Sequence, residues 1–499
     1  MTNVDAAEVS NPDVDPDRPT RAQWLGALVL SLSLAIVVID GTVLNVAVPT
    51  VIVDLHTTFT SMEWVISGYS LVIASLLLVA GRLGDQFGRR RMFMAGAAIF
   101  AVGSLVASQA SSVPMLFIGW SLLEGIGAAF MLPSTLALLS ENFRGRYRPI
   151  AFAMWGSVAG AAAAVGPLLG GWLTEYHSWR WAMAINIVVA ALALIFITRL
   201  VAESRAPSAE RKFDPLGVAL ATGGVFLVTF AVIESQRYGW WQRLQSGPFG
   251  LELPGGLSIV PFGLLLGVML LVVFARREMR IERSGGDPLF RFSLLRVSSY
   301  RLGLAAQTAL SLGEMGVILA LSIYLQTELH LSAFRTGVAL VPLAVAALLV
   351  GGVSGPLAAK VGPAKVVTLG LALEACGAGG VFLVGNNSGS ANALIVPLTL
   401  YGLGLGMASA QLTNVTLSQV PHDLTGSASG ATSTVRQLGS ALGVAITGSL
   451  LATGATLGQG VGRMALFAGS LQVLAAIGSV ALWRIDLTPP SASSEGVTA

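Results

Sequence analysis

Three carboxylates, Asp40, Glu124 and Glu314, stand inside runs of apolar residues long enough to cross a bilayer. Counted from the ends of those runs assigned to the outer side, they lie roughly 8, 10 and 12 residues in, or about 12–18 Å at 1.5 Å per residue. An ionised carboxylate at mid-bilayer costs roughly 2.5–3.5 kcal/mol on insertion scales, so three are expensive unless they are protonated or face water. Keeping water from a carboxyl favours its neutral form, and such groups can hold a proton taken from one side and yield it when a cation enters. The plainer reading is that each carboxyl bonds a neighbouring helix, and Asp40 with Thr42 could also cap a broken helix at the outer end of the first run. Arg436 is the one arginine that cannot be moved to an interface. Asp40 or Glu314 is its candidate counter-ion, with backbone carbonyls as the alternative. Glu374 reads as a buried structural group rather than a substrate ligand. Tyr69, Trp155, Tyr324, Gln326, Tyr401 and Gln411 could line a pocket for a flat cation, although aromatic residues on membrane helices usually just pack.

The elements that must position these groups follow from composition. The 499 residues are 54% hydrophobic and 11% charged with a mean hydropathy of +0.75, values that no water-soluble domain of this length shows. Windows of about 20 apolar residues predict fourteen membrane helices, near 24–48, 61–81, 92–110, 114–139, 150–173, 181–199, 216–233, 257–275, 302–326, 336–358, 364–385, 391–417, 427–451 and 464–483. Thr60 to Glu63 has capping-box spacing ahead of the second helix, and Asp214-Pro215 supplies an N-cap with proline at the first helical position ahead of the seventh. The single cysteine, Cys376, excludes an intramolecular disulfide and reads as a small packing residue. No phosphate-binding loop, metal-ligand cluster or nucleophile–His–acid set is present, and His56, His177, His330 and His422 all sit near loops. An enzyme is not expected, no cofactor is expected, and energy must come from an ion gradient or from the solute's own gradient.

The formal net charge of +3 says little, but its placement says more. With a cytoplasmic N-terminus, the arginines at 82, 89–91, 144–148, 199–211 and 276–301 fall inside, and only Arg180, Arg237, Arg243, Arg335 and Arg463 fall outside. The excess of positive charge on inner loops then predicts both termini in the cytoplasm. Residues 1–23 and 485–499 read as cytoplasmic tails, the first of them disordered and acidic with no signal-peptide pattern. Aligning Gly81–Arg91 with Gly355–Lys365 pairs Gly81 with Gly355, Leu83 with Leu357 and Gly88 with Gly362, and Gly125-Ile-Gly127 pairs with Gly402-Leu-Gly404 at nearly the same offset. The simplest organisation is two related six-helix halves, 24–200 and 300–484, with an inserted helix pair and its flanking loops at 213–283.

The turn Gly81-Arg-Leu-Gly-Asp-Gln-Phe-Gly-Arg-Arg-Arg91 resembles the loop after the second span of major facilitator transporters. Four further segments are similar to the fourteen-span drug:H+ antiporter family of the EmrB/QacA type. They are Ile39-Asp-Gly-Thr-Val-Leu-Asn-Val-Ala-Val-Pro49, Gly166-Pro-Leu-Leu-Gly-Gly171, Trp179-Arg-Trp181 with Ile185-Asn186, and Val435-Arg-Gln-Leu-Gly439 with Gly443. Where that family carries an arginine on span 4, this chain has Ser121, with Glu124 beside the glycine, and Ala162 replaces a glycine on span 5.

The resemblance implies a central cavity lined by spans 1, 4, 9 and 12, which would gather Asp40, Glu124 and Glu314 with Arg436 into one proton and substrate site. It implies that Gly81, Asp85, Gly88 and Arg89 form a cytoplasmic gate, in which the aspartate meets an arginine and a helix N-terminus of the opposite half. It also implies that Gly166, Pro167, Gly170 and Gly171 let span 5 pack closely and hinge. The function implied is export of lipophilic or cationic small molecules in exchange for protons, by a monomer in the bacterial inner membrane with no nucleic acid partner. Export of a specific host metabolite, lipid or sugar, or a non-transporting scaffold or receptor, stay open as alternatives.

Overall fold

Apolar runs of this length leave the backbone nothing but itself to bond, and the chain answers with helices. A computed structural model describes residues 18–206, 214–247, 250, 253–386, 390–454 and 456–484. In chain order the long helices are α1 (Arg21–Asp54), α2 (Phe59–Phe87), α3 (Arg89–Ser108), α4 (Val113–Asn142), α5 (Tyr147–Tyr176), α6 (Trp179–Leu200) and α7 (Pro215–Tyr238). They continue with α8 (Val260–Arg283), α9 (Ser298–Thr327), α10 (Ala333–Val361), α11 (Pro363–Asn386), α12 (Ile395–Thr416), α13 (Thr425–Thr453) and α14 (Leu457–Ser479). Among the described residues, β structure is limited to one bridge, Gln242 to Leu257.

Among the described residues, twelve candidate spans are long and apolar enough to cross a membrane, against the fourteen the sequence predicts. The two helices outside that set, α5 and α13, are 30 and 29 residues long. They are rich in the small residues that allow close helix approach. Gly156, Gly160, Gly166 and Gly170 lie on α5, while Gly426, Gly430, Gly439 and Gly443 lie on α13, which Arg436 and Gln437 also interrupt. These two helices join the halves, α5 packing on α10 and α13 on α2.

Helix starts follow side-chain caps. Thr20 opens α1 three residues before the expected boundary: its hydroxyl accepts from Gln23 N at 3.2 Å while Gln23 returns a carboxamide oxygen to Thr20 N at 2.7 Å. The capping box expected at Thr60 does not start α2; Thr58 does, accepting from Ser61 N at 3.3 Å. Asp214 caps α7 as expected, accepting from Gly217 N at 2.9 Å with Pro215 as the first helical residue. The chain before residue 18 and after 484 lies outside the described residues. Cys376 is exposed on α11 rather than packed in the interior.

The repeat is visible in how helices touch. A Cβ on Gly96 of α3 would lie 2.7 Å from Gly127 O on α4, and a Cβ on Gly370 of α11 would lie 2.8 Å from Gly404 O on α12. Residues 96 and 370 differ by 274, as do 81 and 355, and so do 40 and 314, which makes Asp40 and Glu314 equivalent positions. Helices α7 and α8 pack on each other, and α7 also lies against α2 and α13, where the Gln236 amide donates to Ala445 O.

Candidate functional site

Helix α4 is not uniform. Residues Phe117–Glu124 form a π-helix, a wider winding that is rare and concentrates at functional sites. It carries Trp120 and Glu124, which point into the first half. Asp40 sits opposite on α1 and is 1% exposed. Its Oδ2 accepts from Trp120 Nε1 at 3.0 Å and its Oδ1 from Asn186 Nδ2 of α6 at 2.7 Å. The same Asn186 nitrogen reaches Glu124 Oε2 at 3.4 Å. Tyr69 of α2 closes one side, stacking on Trp120 with ring centres 4.4 Å apart. No described basic side chain pairs with either acid. Glu124 Oε1 and Asn186 Oδ1 are buried with no hydrogen-bond partner. Two carboxyls therefore share neutral donors only, an arrangement that is inexpensive when protons are present and costly when both are ionised.

Glu314 is not part of this pair. It lies in the second half on α9, partly accessible, and its electrostatic neighbour is Arg436 of α13, whose guanidinium also sits over the Trp155 ring at 5.7 Å. Of the three carboxyls expected in one site, Asp40 and Glu124 are brought together through Asn186, whereas Glu314 has Arg436 as its electrostatic neighbour. Of the two counter-ions weighed for Arg436, Glu314 is the neighbour. The cap reading of Asp40-x-Thr42 also gives way, since α1 runs unbroken and Thr42 bonds its own helix carbonyls, Val38 O at 3.2 Å and Ile39 O at 2.9 Å. Tyr69, Trp155, Tyr324, Tyr401 and Gln411 are buried between helices, with Gln411 Nε2 donating to Pro149 O at 2.8 Å, while Gln326 is exposed.

The charged turn forms the second part of the site. Gly88, with φ at +112°, separates α2 from α3 in a conformation that a side chain would strain. Gly81 lets α2 touch α13: a Cβ there would lie 2.9 Å from Gly430 Cα. That contact brings Asp85, fully buried, to the N-terminus of α13, where it accepts from Gly426 N at 2.8 Å, Ser427 N at 2.7 Å and Ser427 Oγ at 2.9 Å. Arg89 donates to Asp85 Oδ1 at 3.0 Å, to His422 O at 2.6 Å, to Glu141 Oε2 at 3.2 Å and to Ser204 Oγ at 3.0 Å. Charge-assisted bonds and a helix dipole therefore hold the two halves together at this end. Glu203 caps α3 from the chain after α6, accepting from Arg90 N at 3.0 Å and Arg91 N at 3.2 Å. Arg82 pairs with Asp287 in the chain after α8.

The glycines of α5 serve close approach. A Cβ on Gly166 would lie 3.0 Å from Thr42 Cβ, and one on Gly170 2.9 Å from Val43 O, both on α1. Gly171 lies beside them, the side chain of Pro167 is outside the described residues, and the helix runs without a break from Tyr147 to Tyr176. Sequence reasoning gave no role to Trp120, Asn186, Glu141, Glu203, His422 or Ser427. Trp120 had a signal, since it lies four residues before Glu124 and so on the same helix face.

Residues 30–444 match the family profile of the Major Facilitator Superfamily. The chain is 34% identical over 437 residues to a probable actinorhodin transporter of Streptomyces coelicolor, covering 85% of this chain and 71% of that one. It is 35% identical to the puromycin resistance protein pur8 of Streptomyces alboniger, covering 91% and 85% of the two chains. It is 30% identical to the multidrug efflux pump LfrA of Mycolicibacterium smegmatis, covering 87% and 81%. In fold it is similar to the human organic anion transporter MFSD10, with a TM-score of 0.63 over 93% of this chain and 100% of that one at 17% identity.

Proposed function

The chain belongs to the Major Facilitator Superfamily, a family of transporters and not enzymes, and from that premise we propose that it exports lipophilic or cationic small molecules, antibiotics among them, in exchange for protons. The observation that carries the reading is the Asp40–Glu124 pair, two buried carboxyls bridged by Asn186 with no basic partner. Protonation is the means available to neutralise them, and a substrate cation or a change of exposure would compete with it. Relatives named for antibiotic transport, antibiotic resistance and multidrug efflux support the substrate class.

In this reading Glu314 and Arg436 are more accessible neighbouring charges in the second half that answer the substrate's charge. The Asp85–Arg89 network latches the cytoplasmic end shut, and its release opens the site to the cell interior. Helices α5 and α13 cross the membrane with the twelve candidate spans, giving the fourteen-span arrangement of drug:H+ antiporters with both termini in the cytoplasm of a bacterial cell. The protein works as a monomer on the proton gradient, with no cofactor.

The test is efflux from proteoliposomes under an imposed pH gradient. Glu124→Gln should abolish proton-driven efflux of a lipophilic cation such as ethidium while some binding of neutral compounds persists. Wild-type proton-driven efflux in that variant would make Glu124 a structural group.

A further inference from the structure

The second half holds a buried carboxyl that this reading does not use. Glu374 of α11 is fully buried. Its Oε2 accepts from Gln472 Nε2 of α14 at 2.6 Å, and the same nitrogen lies 3.1 Å from the Tyr401 hydroxyl of α12. Glu374 Oε1 has no hydrogen-bond partner, and neither has Gln472 Oε1 on the side chain that already grips it.

The groups facing Glu374 are few. Gln472 comes from α14 and Tyr401 from α12, and Glu314 of α9 is the carboxyl near enough to repel it. Arg436 of α13 faces Glu314. Glu374 itself has no guanidinium facing it among these groups. An ionised Glu374 would be a buried charge with one oxygen bare and a like charge nearby, the most expensive state a carboxyl can occupy. A protonated Glu374 removes the charge and supplies a donor where an amide oxygen stands unpaired.

The repeat points the same way. In the first half a Cβ on Gly103 of α3 would meet Glu124 Cγ of α4 at 2.7 Å; in the second, a Cβ on Gly404 of α12 would meet Glu374 Cγ of α11 at 2.7 Å. The acid fills the same seam between paired helices but is carried by the opposite helix. Residue 401, equivalent to Glu124 in the register that pairs Gly125 with Gly402, is a tyrosine, and residue 100, equivalent to Glu374, is a phenylalanine. Carboxyl and aromatic ring have changed places. In each half an amide, Asn186 or Gln472, donates to the acid and keeps its own oxygen unpaired.

We propose that Glu374 is a second proton-binding site, one in each half of the transporter, with Gln472 and Tyr401 positioning its carboxyl. The inference deepens the proton-coupled reading by giving the driving ion a place in both halves. The site takes one proton on Oε1, the oxygen without a hydrogen-bond partner.

The test reads protonation directly and needs no transport. Infrared spectra of the purified full-length protein at neutral pH, taken in the Glu124→Gln background, should show a carboxylic acid C=O band that Glu374→Gln removes. Acid–base titration should find about one proton per chain fewer in that variant. Glutamine has the shape of the protonated acid, so the variant is expected to fold, and Glu374→Asp should restore the proton. Should Glu374→Gln not fold, Gln472→Leu serves instead. Loss of the donor to Oε2 should shift the C=O band, whereas an ionised Glu374 has no such band to shift. An unchanged acid band and unchanged proton count in Glu374→Gln, or an unshifted band in Gln472→Leu, would overturn the proposal. Wild-type proton-driven efflux in Glu124→Gln alone would make Glu124 a structural group and leave this result standing.

Discussion

The two glycine-rich turns, Gly81–Arg91 and Gly355–Lys365, share a backbone and differ in charge. In both, a glycine with positive φ breaks the helix pair, Gly88 at +112° and Gly362 at +97°. In both, the first glycine presses on a helix of the other half, Gly81 on α13 and Gly355 on α5, where a Cβ would lie 2.6 Å from Ile150 Cα. At the positions equivalent to Asp85 and Arg89, however, the second turn has Ala359 and Pro363. The α5 end is held instead by Arg148 donating to Leu417 O at 2.9 Å and Gln411 to Pro149 O at 2.8 Å. Packing belongs to the repeat, whereas the buried ionic network belongs to one copy. The chain places its few strong, removable bonds on one side, as the proposed latch would require.

The sharpest way to break this comparison is Asp85→Asn. It removes the buried carboxylate beside Arg89 and leaves only the partly exposed Glu141 to balance the guanidinium, where breaking a buried pair costs roughly 3–5 kcal/mol. We expect transport to fall more than about tenfold with little change in equilibrium substrate binding, measured by flux and by ligand titration on one preparation. Loss of binding at unchanged expression would count against a gate confined to the turn.

Gly81→Ala and Gly355→Ala test the shared half of the comparison. Each methyl would meet backbone of the opposite helix, and overpacking of this kind costs about 1–3 kcal/mol. Thermal unfolding should show comparable losses for the two. A loss in Gly81→Ala alone would mean that the two turns are not packed alike.

How far these features were legible in the sequence depends on their range. The helices were, since apolar length and caps such as Asp214-Pro215 are local; the residues of the charged turn were marked by a family resemblance, and the structure brings Asp85 and Arg89 together. The twofold relation of Asp40 and Glu314 was present in the register but unused. What could not be read was direction: whether Glu124 turns toward the centre of the molecule or into its own half depends on the π-helix at Phe117–Glu124 and on the glycines of α3 that admit it. The network around Arg89 draws on Glu141, Ser204 and His422, up to 333 residues away, and no spacing rule connects them.

The inserted pair supplies the weak limit of the same interaction. Asp214 pairs with Arg277 of α8 near the surface, with both side chains more than a fifth exposed. Burial alone would raise the Asp214 carboxyl, but hydrogen bonds from Arg277 and Gly217 outweigh it and hold the group below the ordinary 3.8. A depressed value means that the pair stabilises the fold above the unfolded-state pKa and that this contribution is lost as pH falls through the folded one. Asp214→Asn keeps the N-cap and removes only the charge, so it should cost about 0.2–1 kcal/mol at neutral pH. The difference from wild type in unfolding temperature should be small at neutral pH and shrink as pH falls below the ordinary carboxylate value and through the depressed folded one. A loss as large as that of Asp85→Asn would mean that exposure is not what separates the two pairs.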